Sequence, residues 1–421
     1  MFFPVFSLIL YKNLMKMKQV LFLLALGMAM TAGAQQTITV NVENPMKMAR
    51  TDQPVVISLE NYGEVRSALV TCNGQEVACQ LDDIDLDEKN DELCFLADLG
   101  PREKKAYTVA LYAEGEPRPY PARVYAEMLM RNDKVKEKNK HNNYIQSITA
   151  RGDCAYSYNL QHHHGVDFES ELNGIRIYFD QRQTLDLYGK FHKGLELQAT
   201  QFYTSDEQKA QGYGDDVLWV GQTFGLGAFR GWDSQQRQPT MIEPVKTRTQ
   251  RVVSYGPLRT IVEVIDQGWV ADKAKAPVNM TLRYTQYAGH RDTDVDVIFN
   301  RDVSSYSFSS GIINVKGSTE FSDKKGLRAC WGTDYPSTDT IKWKPETVGL
   351  AILLSRQNIV SEEPVNKDNY AFVLKTNGTR MSYKVNYCSA NEDFGFHSAQ
   401  EWFDYLKAWR KEVEQPVKVS F

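Results

Sequence analysis

Residues 161–194, QHHHGVDFESELNGIRIYFDQRQTLDLYGKFHKG, hold the densest set of reactive side chains in the chain. His162, His163 and His164 lead into the acids Asp167, Glu169 and Glu171. Arg176, Asp180, Arg182 and Asp186 follow, then Tyr188, Lys190 and His192. Guanidinium groups bind carboxylates through paired hydrogen bonds, and imidazole and phenol groups transfer protons. Together they suit an acidic sugar, whose carboxylate is held by arginine or lysine while histidine and tyrosine exchange protons with the ring. A plainer reading stands beside this one, because Arg–Asp pairs on exposed strands often do no more than face water.

Other chemistries fit less well. His162 and His164 can share a face, with Glu169 or Glu171 completing a cation site, but no HExxH or comparable spacing is present. No metal ligand is therefore assigned and no cofactor is expected, with a structural or carboxylate-neutralising cation such as calcium as the alternative. Paired carboxylates would also serve a glycoside hydrolase, for which the deciding quantity is their separation. A non-catalytic carbohydrate-binding protein would use the same arginines and aromatic rings. Trp219, Trp232, Trp331 and Tyr335 can stack on sugar faces, and Trp219 is the one taken as substrate-binding. The segment GLGAFRG lacks the spacing of a dinucleotide loop.

Extended strands would position these groups. Along 175–180, alternation puts Arg176, Tyr178 and Asp180 on one face and Ile175, Ile177 and Phe179 toward a core. A second strand, 184–190, carries Thr184, Asp186, Tyr188 and Lys190 on its polar face. Two such neighbours would make a concave charged wall. Period-2 patterning continues along most of the chain, with about six strand-like runs between Thr37 and Tyr112. The expected fold is all-β: a small N-terminal sandwich over 35–125, then a large antiparallel sheet domain over 126–421. The boundary falls between EGEPRPYPA and the charged run KVKEKNKHNN. In the hairpin expected at 280–299, Val295, Val297 and Phe299 share one face. Ser398-Ala399-Gln400-Glu401 begins a C-terminal helix, with Trp402, Leu406, Trp409 and Val413 as its apolar stripe.

Residues 1–34 read as a signal peptide with an over-long start: Lys16 and Lys18, the apolar run 20–30, then Ala32-Gly33-Ala34. The alternative is a membrane anchor. Cleavage would give a periplasmic or secreted chain beginning at Gln35, with no membrane span expected after it. The net charge of −4 becomes −7 without Lys12, Lys16 and Lys18, which offers no electrostatic case for nucleic acid. Cys72 and Cys79 flank an Asn-Gly turn and could face one another, but buried free thiols fit the six cysteines as well, and no bridge is assigned.

The motifs HHGVDFESELNGIRIYFD, DLYGK, VGQTFGLGAF and SYGPLR, in that order, resemble the uncharacterised domain-of-unknown-function 4861 family over most of 45–415. The resemblance implies a secreted protein of bacterial polysaccharide-utilisation loci. It also implies a galactose-mutarotase-like β-supersandwich as the second domain and activity on uronic-acid-containing oligosaccharides. β-Elimination at a uronate, of the dehydratase or lyase type, is the associated reaction. On that scheme His163 or His164 pairs with Tyr188 in proton transfer, Glu171 orients a histidine, and Arg176, Arg182 and Lys190 bind the carboxylate.

Overall fold

The computed structural model describes residues 36–137 and 139–421. The expected signal peptide, cleavage site and anchor lie outside the described residues. Among these, no helix is long and apolar enough to cross a membrane.

Strands make up most of the regular structure. In the N-terminal unit, Gln36–Glu43 pairs with Lys104–Tyr112, which pairs with Ser67–Cys72. A three-stranded sheet, Arg50–Ser58, Glu92–Leu99 and Cys79–Asp82, joins this sheet around one core of Val40, Val55, Val70, Leu93, Phe95 and Val109. One feature departs from the expected division at 125. The last strand, Lys418–Ser420, pairs with Gln36–Glu43, so the chain's end completes the N-terminal sheet. Cys72 lies opposite Gln75 in a hairpin while Cys79 belongs to the other sheet, and all six cysteines are free thiols.

The larger part is a nine-stranded antiparallel sheet facing two five-stranded sheets across a single apolar core. The hairpin at 280–299 forms as its alternation requires: Tyr284 faces Val295, Leu282 faces Val297 and Met280 faces Phe299, all buried. Ala399–Glu414 is the one long helix among the described residues. Ser398 Oγ accepts from Glu401 N, and Glu401 reaches back to His397 N, one residue before the cap. Trp402, Phe403, Leu406 and Trp409 then bury against the nine-stranded sheet.

One five-stranded sheet carries the site. Its order is Asp215–Asp216, Leu185–Gly189, Gly174–Tyr178, Gly165–Ser170 and Val124–Glu127. Ala126, Val166, Phe168, Ile175, Ile177, Leu185 and Leu187 face the core. Because side chains alternate, the opposite face receives the charged residues. Strand register places Glu127 beside Asp167, Asp167 beside Arg176, and Arg176 beside Asp186, one charged row crossing four strands. A second row runs Tyr125, Glu169, Gly174, Tyr188, Asp216. The expected polar wall is thus present, but it is not a solvated face. Leu197 and Phe202 from the following segment pack over Tyr188, and His163 lies beside Glu127 and Asp167.

Candidate active site

One end of the wall opens to solvent. There a cleft of about 670 Å³ is lined by Tyr158, His164, Arg176, Tyr178, Asp186, Tyr203, Asp216, Trp219 and Trp343, among others. A second cleft, about 470 Å³, lies on the far side of His164 and Tyr203 and takes in His141 and His162. The two residues therefore stand between two open spaces.

Arg176 forms the floor of the larger cleft. Its Nη2 donates to Tyr178 Oη at 2.8 Å, pairs closely with Asp186 and lies 3.4 Å from Asp216 Oδ2. Its Nη1 lies 3.3 Å from Tyr203 Oη. The guanidinium stacks 4.1 Å over the Phe202 ring. Burial alone would lower the Arg176 pKa, but Tyr178, Asp186, Tyr203 and Asp216 surround it and raise it well above the usual value. Asp216 is displaced upward, first by burial and then by Asp186. Tyr203 is raised by burial, which the charge of Arg176 opposes.

His164 is held by backbone and stacking. Its φ is +69°, a left-handed conformation that is uncommon outside glycine. The following Gly165 allows this tight entry: a Cβ there would lie 1.7 Å from the Ile177 carbonyl oxygen. The ring stacks on Tyr158 at 3.8 Å and 2°. Nδ1 lies 3.1 Å from the Tyr158 carbonyl oxygen, which can only accept, so Nδ1 carries the proton and Nε2 keeps its lone pair. Burial, then Arg176, lowers this histidine to about 4.

The structure redistributes the expected roles. His164, Arg176 and Trp219 come together in the larger cleft, Trp219 with 53% of its surface exposed. Arg182 sits behind it, paired with Asp180 and stacked over Tyr178 and Tyr158, with Nη1 reaching the Gly221 carbonyl. Lys190 is not placed to bind a substrate carboxylate. It is fully buried, its ammonium bonded to Glu169 at 2.6 Å, to the Ser170 carbonyl at 2.7 Å and to the Gly194 carbonyl. Tyr188 is not placed for proton transfer either, because its hydroxyl is enclosed by Glu196, Thr204 and the Gly214 carbonyl. Glu171 orients no histidine; it binds Arg123, which also holds Asp52 of the N-terminal unit, and the amide of Gly289. Glu169 and Glu171 are thereby removed from the cation site considered with His162 and His164.

His163 is fully buried beneath the cleft. Its Nε2 lies 3.6 Å from Glu127 Oε1 and 3.5 Å from Asp167 Oδ2 without a hydrogen bond to either. Burial, then Arg176, lowers it to about 3. Burial raises Glu127 to about 8, and burial with Glu127 and Glu169 raises Asp167 well above the carboxylate range.

Tyr203, Tyr158, Asp216, Trp343 and Glu127 were not singled out from the sequence. Tyr178 was placed beside Arg176 by alternation, and the same period along Val124–Glu127 carried a signal for Glu127. Tyr203 and Trp343 lie in irregular segments that no period describes. Another cavity, about 650 Å³ beside the C-terminal helix, includes Asp294, Lys384 and Arg410. There Lys384 pairs with Asp294, and Arg410 with Asp323 and Glu414.

An all-β protein whose cleft floor is a buried arginine, walled by tyrosines and a neutral histidine, is the class that fold and site define. The chain belongs to the family described as Domain of unknown function (DUF4861), which matches residues 42–419. No curated protein matches the sequence. Among solved structures it is similar to a protein in the glycosyl hydrolase family 38 from Enterococcus faecalis. That match has 9% identity and a TM-score of 0.49, covering 91% of this chain and 47% of that one. An alpha-mannosidase from Enterococcus faecalis V583 gives 9%, 0.48, 91% and 46%. The chain spans about half the length of these structures.

Proposed function

We propose that this protein is a carbohydrate-active enzyme of polysaccharide breakdown, acting on uronic-acid-containing oligosaccharides by β-elimination. The observation that carries the reading is the set at the cleft: the Arg176 guanidinium, the Tyr203 phenol 3.3 Å from it, and His164 with its Nε2 lone pair. In the reaction the substrate carboxylate meets the positive floor at Arg176. Asp216, its carboxyl displaced upward by burial and by Asp186, lies beside it. His164 Nε2 takes the proton from C5. The electron pair of that bond forms the C4–C5 double bond, the C4–oxygen bond breaks, and Tyr203 gives its proton to the leaving oxygen. Arg176 Nη1 then stabilises the Tyr203 phenolate. Trp219 and Trp343 offer ring faces to neighbouring sugars.

A hydrolytic reading has one supporting observation. Asp186 and Asp216 line the same cleft, and the upward displacement of Asp216 is what a general acid needs. Incubation with a panel of uronic-acid oligosaccharides, read by mass and ultraviolet absorbance, separates the two. Loss of one water, or cleavage without added water, accompanied by a conjugated double bond supports elimination. Cleavage with added water and no new absorbance would replace it with hydrolysis, and binding without product would reject both.

A further inference from the structure

Glu127, His163 and Asp167 stand out among the buried polar groups of the wall because each turns at least one unpaired side-chain atom toward the other two. All three are at most 1% exposed. Glu127 Oε1, His163 Nε2 and both oxygens of Asp167 have no hydrogen-bond partner from another residue. Buried polar atoms are paired in the great majority of native proteins, so unpaired atoms of three residues gathered in one place point to a ligand. Each residue offers a donor atom, and the three lie within 4.8 Å of one another.

We infer that Glu127, His163 and Asp167 form a binding site for a divalent first-row metal ion, of which Zn²⁺ is the best fit. The spacing supports this. Bonds of ~2.0–2.2 Å at a tetrahedral angle set ligand atoms ~3.3–3.6 Å apart. His163 Nε2 stands 3.6 and 3.5 Å from the two carboxylate oxygens. The charge supports it too. Two carboxylates in a dry site lack a counter-charge within hydrogen-bond reach, and Arg176 directs its terminal nitrogens to Asp186, Tyr178 and Tyr203 instead. A mixed imidazole and carboxylate set favours zinc-like ions over calcium, which takes six to eight oxygens. The support around the donors is also of the metal-site kind, since Tyr125 donates to Glu127 Oε2 at 2.7 Å and leaves Oε1 turned toward His163.

The acids Asp83, Asp85 and Asp91, which also converge, offer a contrast. Their oxygens accept from the amides of Ile84, Leu86, Asp87 and Glu88, so that loop satisfies its own carboxylates. The inferred ion would act at one remove from the cleft. The carbonyl of His163 lies 3.4 Å from Arg176 Nη1, and Asp167 is the cross-strand neighbour of Arg176. Fixing His163 and Asp167 therefore fixes the arginine at the cleft floor, a positioning role independent of the reaction catalysed there.

The test is metal analysis of the natively purified full chain, followed by chelator dialysis and add-back of Zn²⁺ alone. One ion per chain is expected, with a rise of about 5 °C in Tm on add-back at saturation. Co²⁺ loading of the stripped wild type should produce visible d–d absorption of a low-coordinate site, a readout that requires no variant. Asp167→Asn and His163→Gln should lose both ion and Tm response. No metal in the native protein together with no response to Zn²⁺ or Co²⁺ would overturn the inference. So would an ion retained in full by both variants, since it would then be bound elsewhere.

Discussion

Among the buried charged clusters of the described residues, two are built in opposite ways. At the junction of the N-terminal unit with the large sheet, Gln80, Asp82, Ser254 and Arg259 satisfy one another. Gln80 Nε2 reaches Asp82, Ser254 and the Arg259 carbonyl at 2.7, 2.7 and 3.0 Å, while its oxygen accepts the amides of Leu258 and Arg259. Arg259 closes the network on Asp82 and Glu92, both at 2.7 Å. Beneath the cleft, Glu127, His163 and Asp167 converge with atoms left over. A closed network holds two units in register and has no capacity for a ligand. An open one marks where the fold keeps groups in reserve.

Stability measurements sharpen the contrast. Arg259→Ala leaves Asp82 uncompensated and should cost about 3–5 kcal/mol in urea unfolding. Asp167→Asn in metal-stripped protein removes a carboxyl group whose oxygens have no hydrogen-bond partner, and should change stability by less than about 1 kcal/mol, or raise it. Equal losses in both variants would erase the distinction. Tyr188→Phe breaks a closed arrangement with Glu196, Thr204 and Gly214, so a loss of about 1–3 kcal/mol is expected. Its turnover should stay within a few-fold of wild type, as steady-state kinetics would show.

The smallest effect concerns pH. Burial works against the Asp292 carboxylate, yet Lys384 and His290 hold its pKa below the usual value. A depressed folded pKa contributes stability that is present above the unfolded value of ~3.9 and lost as pH falls below it. The gap in unfolding free energy between wild type and Asp292→Asn should therefore shrink below about pH 4. A gap constant with pH would show that Asp292 is not held in this way.

Alternation made much of this legible in the sequence. Arg176 and Tyr178 share the polar face of one strand and Asp186 that of the next because side chains in a strand have no other choice, and the same rule predicts the hairpin at 280–299. The depth of that face was not legible. Lys190 and Tyr188 carry the residue types of a sugar site, but Glu169, Glu196 and the backbone around Gly214 absorb their polar atoms once Leu197 and Phe202 fold across. Coverage of this kind depends on segments without a period. For the same reason Tyr203 and Trp343 escaped notice, while the register that sets Glu127 beside Asp167 joins strands some forty residues apart.

The central claim is that chemistry resides at the open end of the wall, around Arg176, His164 and Tyr203, and not at its covered end. Its most direct test is the turnover of Tyr203→Phe beside Tyr188→Phe, on the uronic-acid oligosaccharide that the wild-type protein converts. Loss of the proton donor should lower kcat by ~10²–10⁴ in Tyr203→Phe, with Tyr188→Phe near wild type. Full activity in Tyr203→Phe, or a comparable loss in folded Tyr188→Phe, would contradict the account.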